Sequence, residues 1–398
     1  MAKIKLTKGE LKRQRDSLQQ FRHYLPILQL KKKQLQIKIE EIRRILVEKQ
    51  KELHLLEDKI SQWQGLLADP FVDIKPWLEV EGFSTFTTNI AGAEVPVFKE
   101  VSFKQIAIDY YSNELPGYPY PYSHITSFCN GSRGGGMETP MMTNDGESKS
   151  VASIVGLLSH EIAHSYFPFI MGTNERKYAW MDEGWASFFP EEIVNGYVPS
   201  HDYWIGRCEA YSRNAGKESE LPPIVPSYTY KGKYVRTGFY NRPTNAYKEL
   251  EILLGRKLFK KALLEYMKRW NGKHPISYDF FFTFNDVVNE DLTWFWKPWF
   301  FEFGYPDLTV EKVNQNNDRI LIKIVKLGNI PTRVEVTIEF ENGIKEIIKK
   351  SARIWQDGKD SFEIEIPDKT EKVKSVTVGN KHIPDAVIEN NSYILIKE

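Results

Sequence analysis

Apolar residues return at every seventh position along the first sixty-odd residues. Starting the seam at Leu11, the repeat runs through Leu18, Leu25, Ile39, Leu46, Leu53, Ile60 and Leu67, with Lys32 as its one polar break. Three residues further on, the companion position holds Phe21, Leu28, Leu35, Ile42, Leu56 and Trp63, interrupted by Gln14 and Lys49. A 3.5-residue seam kept for this long predicts an α-helical coiled coil over residues 8–67. Pro26 lacks an N–H and crowds the preceding turn, so it is expected to kink the helix or divide it in two. Asp69-Pro70 ends the repeat. Residues 71–103 then alternate, with Phe83, Phe86, Ile90, Val95, Val97 and Val101 apolar, and predict short strands or a hairpin.

From about residue 104 the chain turns aromatic and globular. Residues 118–140 read as turns around one strand. Helical patterns cover 151–166 (bounded by Pro168), 178–193, 243–271 and 276–303, the last interrupted near Pro298. Beyond Gly304-Tyr305-Pro306 the runs 319–327, 333–341, 361–367, 375–379 and 392–398 alternate between Gly, Asn and Asp turns. That pattern predicts a small β-sandwich. The fold class is therefore α+β and multidomain, with segments 1–103, 104–305 and 306–398.

Composition narrows this little. A chain of 398 residues is too long for one ordinary core. Hydrophobic content of 41% and a net charge of +1 describe a soluble globular protein and give no reason to expect nucleic acid. Lys and Arg outnumber Asp and Glu 16 to 8 over residues 1–60, which reads as a solvated helix face. No apolar run approaches the roughly 20 residues of a membrane span. The opening residues lack the features of a signal peptide, so a cytoplasmic location is expected. Cys129 and Cys208 are too few and too far apart for a disulfide framework.

The chemistry lies in His160-Glu161-Ile162-Ala163-His164. Positions i and i+4 share one helix face, so both imidazoles can chelate one ion. Glu183 follows His164 after eighteen intervening residues, on a second predicted helix. Two His and one Glu leave a fourth position open for water, the arrangement of a catalytic zinc with one Zn2+ per chain. Asp182 is the neighbouring alternative, but adjacent helix positions face about 100° apart and Glu183 is preferred. Glu161, beside a ligand, is placed to take a proton from the attacking water and pass it to the leaving amine.

This spacing resembles the aminopeptidase N and leukotriene hydrolase family of gluzincin metallopeptidases, and the likeness spans about 104–398, including 303–308. It implies a thermolysin-like zinc-peptidase catalytic domain closed by the sandwich, acting on peptides with a free N-terminus. Gly135-Gly136-Met137-Glu138-Thr139 is similar to the family's Gly-x-Met-Glu-Asn signature, with Thr139 in place of Asn. The resemblance implies that this strand pairs with substrate and that Glu138 binds the free α-amino group. Tyr240-Asn-Arg-Pro stands 57 residues after Glu183, with Gly255 fifteen beyond, where the family has a catalytic Tyr-x-Lys-Gly. Tyr240 is thereby the implied oxyanion donor, although Arg242 and Pro243 replace Lys and Gly, and Tyr247 is the fallback.

Residues 1–103 do not resemble the β-saddle domain with which that family begins. They resemble the start of the D subunit of V-type ATPases, through the opening at 6–18, the Lys-rich coiled coil and the segment 90–103. Two functions follow. One is a zinc aminopeptidase; the other is a rotary-ATPase stalk or coiled-coil interaction protein, partnered through residues 8–67 and fused to an inert peptidase half.

Overall fold

Up to Ser61 the heptad seam folds as one helix. α1 (Lys8–Ser61) runs 54 residues, roughly 80 Å at 1.5 Å per residue. Pro26 lies inside it and does not divide it, contrary to one of the two expectations. The missing N–H removes a single bond, and the unbroken ladder on either side carries the helix past it. Leu11, Leu18, Phe21, Leu25, Leu46 and Leu53 along the seam are half or more exposed.

This computed structural model describes residues 7–61, 83–90, 93–101, 106–133, 135–147, 150–217, 220–232, 235–316, 319–367 and 370–395. The seam beyond Ser61, Asp69-Pro70 and the strands expected before Phe83 lie outside them. The chain forms two compact units, Met1–Glu79 and Val80–Glu398. Among the described residues no helix is long and apolar enough to cross a membrane.

The second unit opens with the expected hairpin, β1 (Phe83–Ile90) against β2 (Ala93–Val101). After α2 (Ile106–Asn113), a three-stranded sheet follows in the order β3 (Thr126–Arg133), β5 (Met142–Glu147), β4 (Glu138–Thr139). β3 runs parallel to β5 and β4 antiparallel, which leaves β4 on an edge. α3 (Val151–Ala163) starts where the Ser150 hydroxyl accepts from the Ser153 N–H, and it buries Val155, Leu158 and Ile162.

The helix expected over 178–193 is not continuous. A 3₁₀ turn at Ala179–Met181 leads to Asp182, whose φ of −114° and ψ of −80° break the run. α4 (Glu183–Phe188) and α5 (Glu191–Tyr197) follow, separated at Pro190. α6 (Tyr203–Ser212) is capped by Asp202, which accepts from the N–H groups of Trp204 and Ile205. The 243–271 pattern is likewise two helices, α7 (Arg242–Leu254) and α8 (Arg256–Trp270), turning at Gly255 with φ +76°. α9 (Ser277–Val288) and two short turns up to Phe301 complete the helical half.

An aromatic core fixes these helices. Trp185 stacks on Tyr247 with ring centroids 3.7 Å apart, and Phe167, Phe188, Phe189, Phe280 and Tyr266 surround them. Each such buried side chain contributes roughly 1.5–3 kcal/mol. Gly184 allows the closest approach, since a Cβ there would lie 2.9 Å from the Pro243 side chain. The start of α7 therefore presses on the start of α4, which brings Tyr240 towards Glu183.

The C-terminal strands form two antiparallel sheets. One has the order β10 (Ser361–Pro367), β7 (Arg319–Lys326), β6 (Leu308–Gln315); the other β12 (Ser392–Ile394), β11 (Val373–Val378), β8 (Val334–Phe340), β9 (Lys345–Lys350). β6 neighbours β11 and β12 of the second sheet. Ile320, Ile322 and Ile324 from β7 and Val336 and Ile338 from β8 are buried at every second position. β6 and β9 were not expected from the sequence; β9, as Lys-Glu-Ile-Ile-Lys-Lys, is a charged edge strand with almost no apolar alternation.

Candidate active site

α3 delivers His160, Glu161 and His164, while α4 begins with Glu183. Their donor atoms form a triangle. His160 Nε2 lies 3.1 Å from Glu183 Oε2 and 3.2 Å from His164 Nε2, and the third side, His164 Nε2 to Glu183 Oε2, is 3.5 Å. Bonds of 2.0–2.1 Å in tetrahedral directions put donor atoms about 3.3 Å apart, so the triangle has the size that one metal ion requires. Burial pulls the His160 proton affinity down, to a pKa of about 4, which keeps that imidazole neutral and its lone pair available. Burial alone would raise Glu183, but hydrogen bonds and charge from His160 and His164 hold its carboxyl well below the usual range.

Asp182 is not at the metal corner. Its Oδ1 sits 2.6 Å from His164 Nδ1, and the Phe167 carbonyl is 3.0 Å from the same nitrogen. Both acceptors require the Nδ1–H tautomer, which leaves His164 Nε2 as the donor atom facing the triangle. Helix periodicity does not separate Asp182 from Glu183, because Asp182 precedes the helix and does not lie on it. It is 3% exposed, and substituting it by Ala removes the group that orients His164. Asp182→Ala is expected to weaken zinc binding by roughly 10- to 100-fold, read by competition with a chelator. An unchanged affinity would exclude this orienting role.

Glu161 is 4% exposed, and its Oε2 has no hydrogen-bond partner among the described residues. Burial raises its pKa to about 8. The edge strand passes directly over it: a Cβ at Gly136 would collide with the Glu161 carboxylate. Gly135 adopts φ +67°. Met137 exchanges both backbone bonds with Asn144, at 3.0 and 2.9 Å, and the Gly135 carbonyl accepts from Gly146. Alternation then turns the Gly136 peptide groups away from β5, towards the open edge. The Met137 side chain is exposed. Glu138, Glu161 and His164 have donor atoms within 4.8 Å of one another, as do Glu138, Glu175 and Asp182.

The Tyr240 hydroxyl donates to Glu183 Oε1, and its ring stacks near His160 at a centroid distance of 6.1 Å. Burial raises the Tyr240 pKa above its ordinary value, so the hydroxyl keeps its proton. Tyr247 is elsewhere: fully buried, stacked on Trp185 and donating to the Trp180 carbonyl at 3.1 Å. Arg242 does not reach the site either. Its guanidinium is fully buried, pairs with Glu220 at 3.1 Å and donates to the carbonyls of Pro298, Trp299 and Glu302. A cleft of about 690 Å³ joins Gly135, Gly136, Glu138, His160, Glu161, His164, Glu183 and Tyr240.

Residues 104–299, the stretch that builds this cleft, match the peptidase family M1 domain. Residues 10–124 match the D subunit of ATP synthase, and the two matches overlap over 104–124. Over 194 residues the chain is 29% identical to leucine aminopeptidase 2 of Ajellomyces capsulatus, covering 43% of this chain and 30% of that protein. Over 109 residues it is 39% identical to the V-type ATP synthase D subunit of Borreliella burgdorferi, covering 27% of this chain and 54% of that one. The chain thus spans about half of the ATP synthase relative and under a third of the aminopeptidase. The crystal structure of Legionella pneumophila aminopeptidase A, in complex with aspartic acid, has the same mixed helix-and-strand multidomain fold. It aligns with a TM-score of 0.53 at 13% identity over 76% of this chain and 37% of that one. The stretch that matches the M1 domain therefore follows one of different likeness.

Proposed function

We propose that the chain is a zinc-dependent aminopeptidase removing N-terminal residues from peptides. In this reading residues 104–305 are a thermolysin-like catalytic domain and 306–398 a β-sandwich. The observation that carries it is the triangle of His160, His164 and Glu183, beside a Glu161 carboxylate oxygen that has no partner among the described residues. When bound there, zinc supplies Lewis acidity that polarises the scissile carbonyl and makes water nucleophilic at neutral pH. Glu161 takes the proton of the attacking water and delivers it to the departing amine. Tyr240 donates its hydroxyl proton in a hydrogen bond to the oxygen on which negative charge develops. The open edge at Gly136 aligns the substrate backbone, and Glu138 pairs with the α-ammonium group.

The purified protein is expected to hold about one zinc per chain and to hydrolyse aminoacyl reporter substrates. N-acetylated peptides should be poor substrates, because acetylation removes the charge that Glu138 binds. Glu138→Ala should abolish that preference while leaving the zinc content unchanged. Equal rates on free and blocked peptides would make the protein an endopeptidase.

The likeness of residues 10–124 to the ATP synthase D subunit favours a second reading, in which α1 is an interaction element. Its exposed Leu seam calls for a coiled-coil partner. Co-purification of rotary-ATPase components with the chain would favour that reading; a self-associating or unpartnered α1 would count against it.

A further inference from the structure

The cleft around the triangle is charged differently at its two ends. Glu138 stands at the His164 end, its carboxylate within 4.8 Å of donor atoms of Glu161 and His164. On the other side Arg236 lies beside the Tyr240 ring, which stacks near His160. Arg207 and Arg236 both line the cleft, the one from α6 and the other from the turn that leads to Tyr240.

Arg207 is held in place. It donates to the Tyr203 hydroxyl at 2.7 Å and lies 4.8 Å from the centroid of that ring, and Tyr203 in turn donates to the Ser187 carbonyl at 2.8 Å. The Arg236 guanidinium lies 5.6 Å from the Tyr240 ring centroid. Among the described residues neither arginine pairs with a carboxylate, whereas the nearby Arg242 is fully engaged by Glu220 and three carbonyls. Two guanidiniums with spare donors, one pre-oriented, form a receptor for a planar anion.

We propose that Arg207 and Arg236 receive a substrate carboxylate on the far side of the scissile bond from Glu138, which selects short peptides with a free C-terminus. This rests on the aminopeptidase reading above. An ammonium group held at the acidic end and a carboxylate at the basic end put the intervening peptide bond at the triangle and Tyr240. The cleft volume of about 690 Å³ lies within the roughly 300–1,000 Å³ of small-ligand sites. A side-chain carboxylate just after the scissile bond offers the same chemistry, so the test must separate the two sources.

Three peptides do so with the zinc-loaded full chain: Ala-Ala-Ala, its C-terminal amide, and Ala-Asp-Ala amide. The free acid is expected to exceed the plain amide in kcat/KM by about 10- to 100-fold, mostly through KM, the gain of hydrogen bonds to a charged group. Arg207→Gln and Arg236→Gln should bring that ratio towards one, and Arg207→Lys should retain part of it. If Ala-Asp-Ala amide matches the free acid, the receptor stands and takes its carboxylate from a side chain. Equal kcat/KM for all three would overturn this proposal alone. Hydrolysis of none would overturn the aminopeptidase reading and this one with it. The wild-type comparison needs no variant, so a misfolded Arg207→Gln would not blur the result.

Discussion

Glu161→Gln is expected to keep its zinc and lose hydrolysis, with turnover falling by roughly two to four orders of magnitude. The substitution is nearly isosteric, so it respects the tight passage of Gly136 over this side chain. It leaves His160, His164 and Glu183 untouched, because Glu161 lies beside the triangle and is not one of its corners. What it removes is the carboxylate whose buried oxygen has no partner among the described residues. Metal analysis and a turnover assay on the same preparation decide the point. Loss of zinc would mean that Glu161 is a ligand, and undiminished turnover would mean that the base is another group.

Tyr240→Phe is expected to lower kcat by roughly two to three orders of magnitude with little change in KM. The hydroxyl is required when charge develops on the carbonyl oxygen, so its loss is felt in the transition state and barely in the ground state. Its place beside His160 and Glu183 puts it within reach of that oxygen. Tyr247→Phe is the comparison. It removes a hydrogen bond to the Trp180 carbonyl, so its cost should appear as about 1 kcal/mol of stability and not in turnover. Crippled turnover in Tyr247→Phe with normal turnover in Tyr240→Phe would exchange their roles.

Much of the candidate site's geometry was legible because it is local. Two histidines one turn apart, with a glutamate between them, need only a helix, and the periodicity of 151–166 provides one. The third corner required that a second element face the first, which spacing suggests but cannot orient. The break at Asp182 was not legible: Trp180, Met181, Trp185 and Phe188 recur at helical intervals and give no sign of it. Arg207 and Arg236 were invisible too. They are 29 residues apart in the chain, and only the packing of α6 beside the turn before α7 makes them neighbours of one cleft. In the C-terminal half, strands with buried alternation were legible, whereas β9, exposed and rich in lysine, carried no apolar signal.

Arg242 carries a consequence for how this chain can change. Its guanidinium fastens the segment that presents Tyr240 to the carbonyls of Pro298, Trp299 and Glu302, a few residues before the first sandwich strand. Glu249 reaches further, accepting from both the backbone N–H and the guanidinium of Arg333. The bonds of Arg242 thus stay within residues 220–302, whereas the Glu249–Arg333 pair joins the helical part to the C-terminal strands by a charge-assisted contact. Exchanging the C-terminal strands for those of another protein would leave the Glu249 carboxylate buried without its Arg333 partner, a strongly destabilising loss.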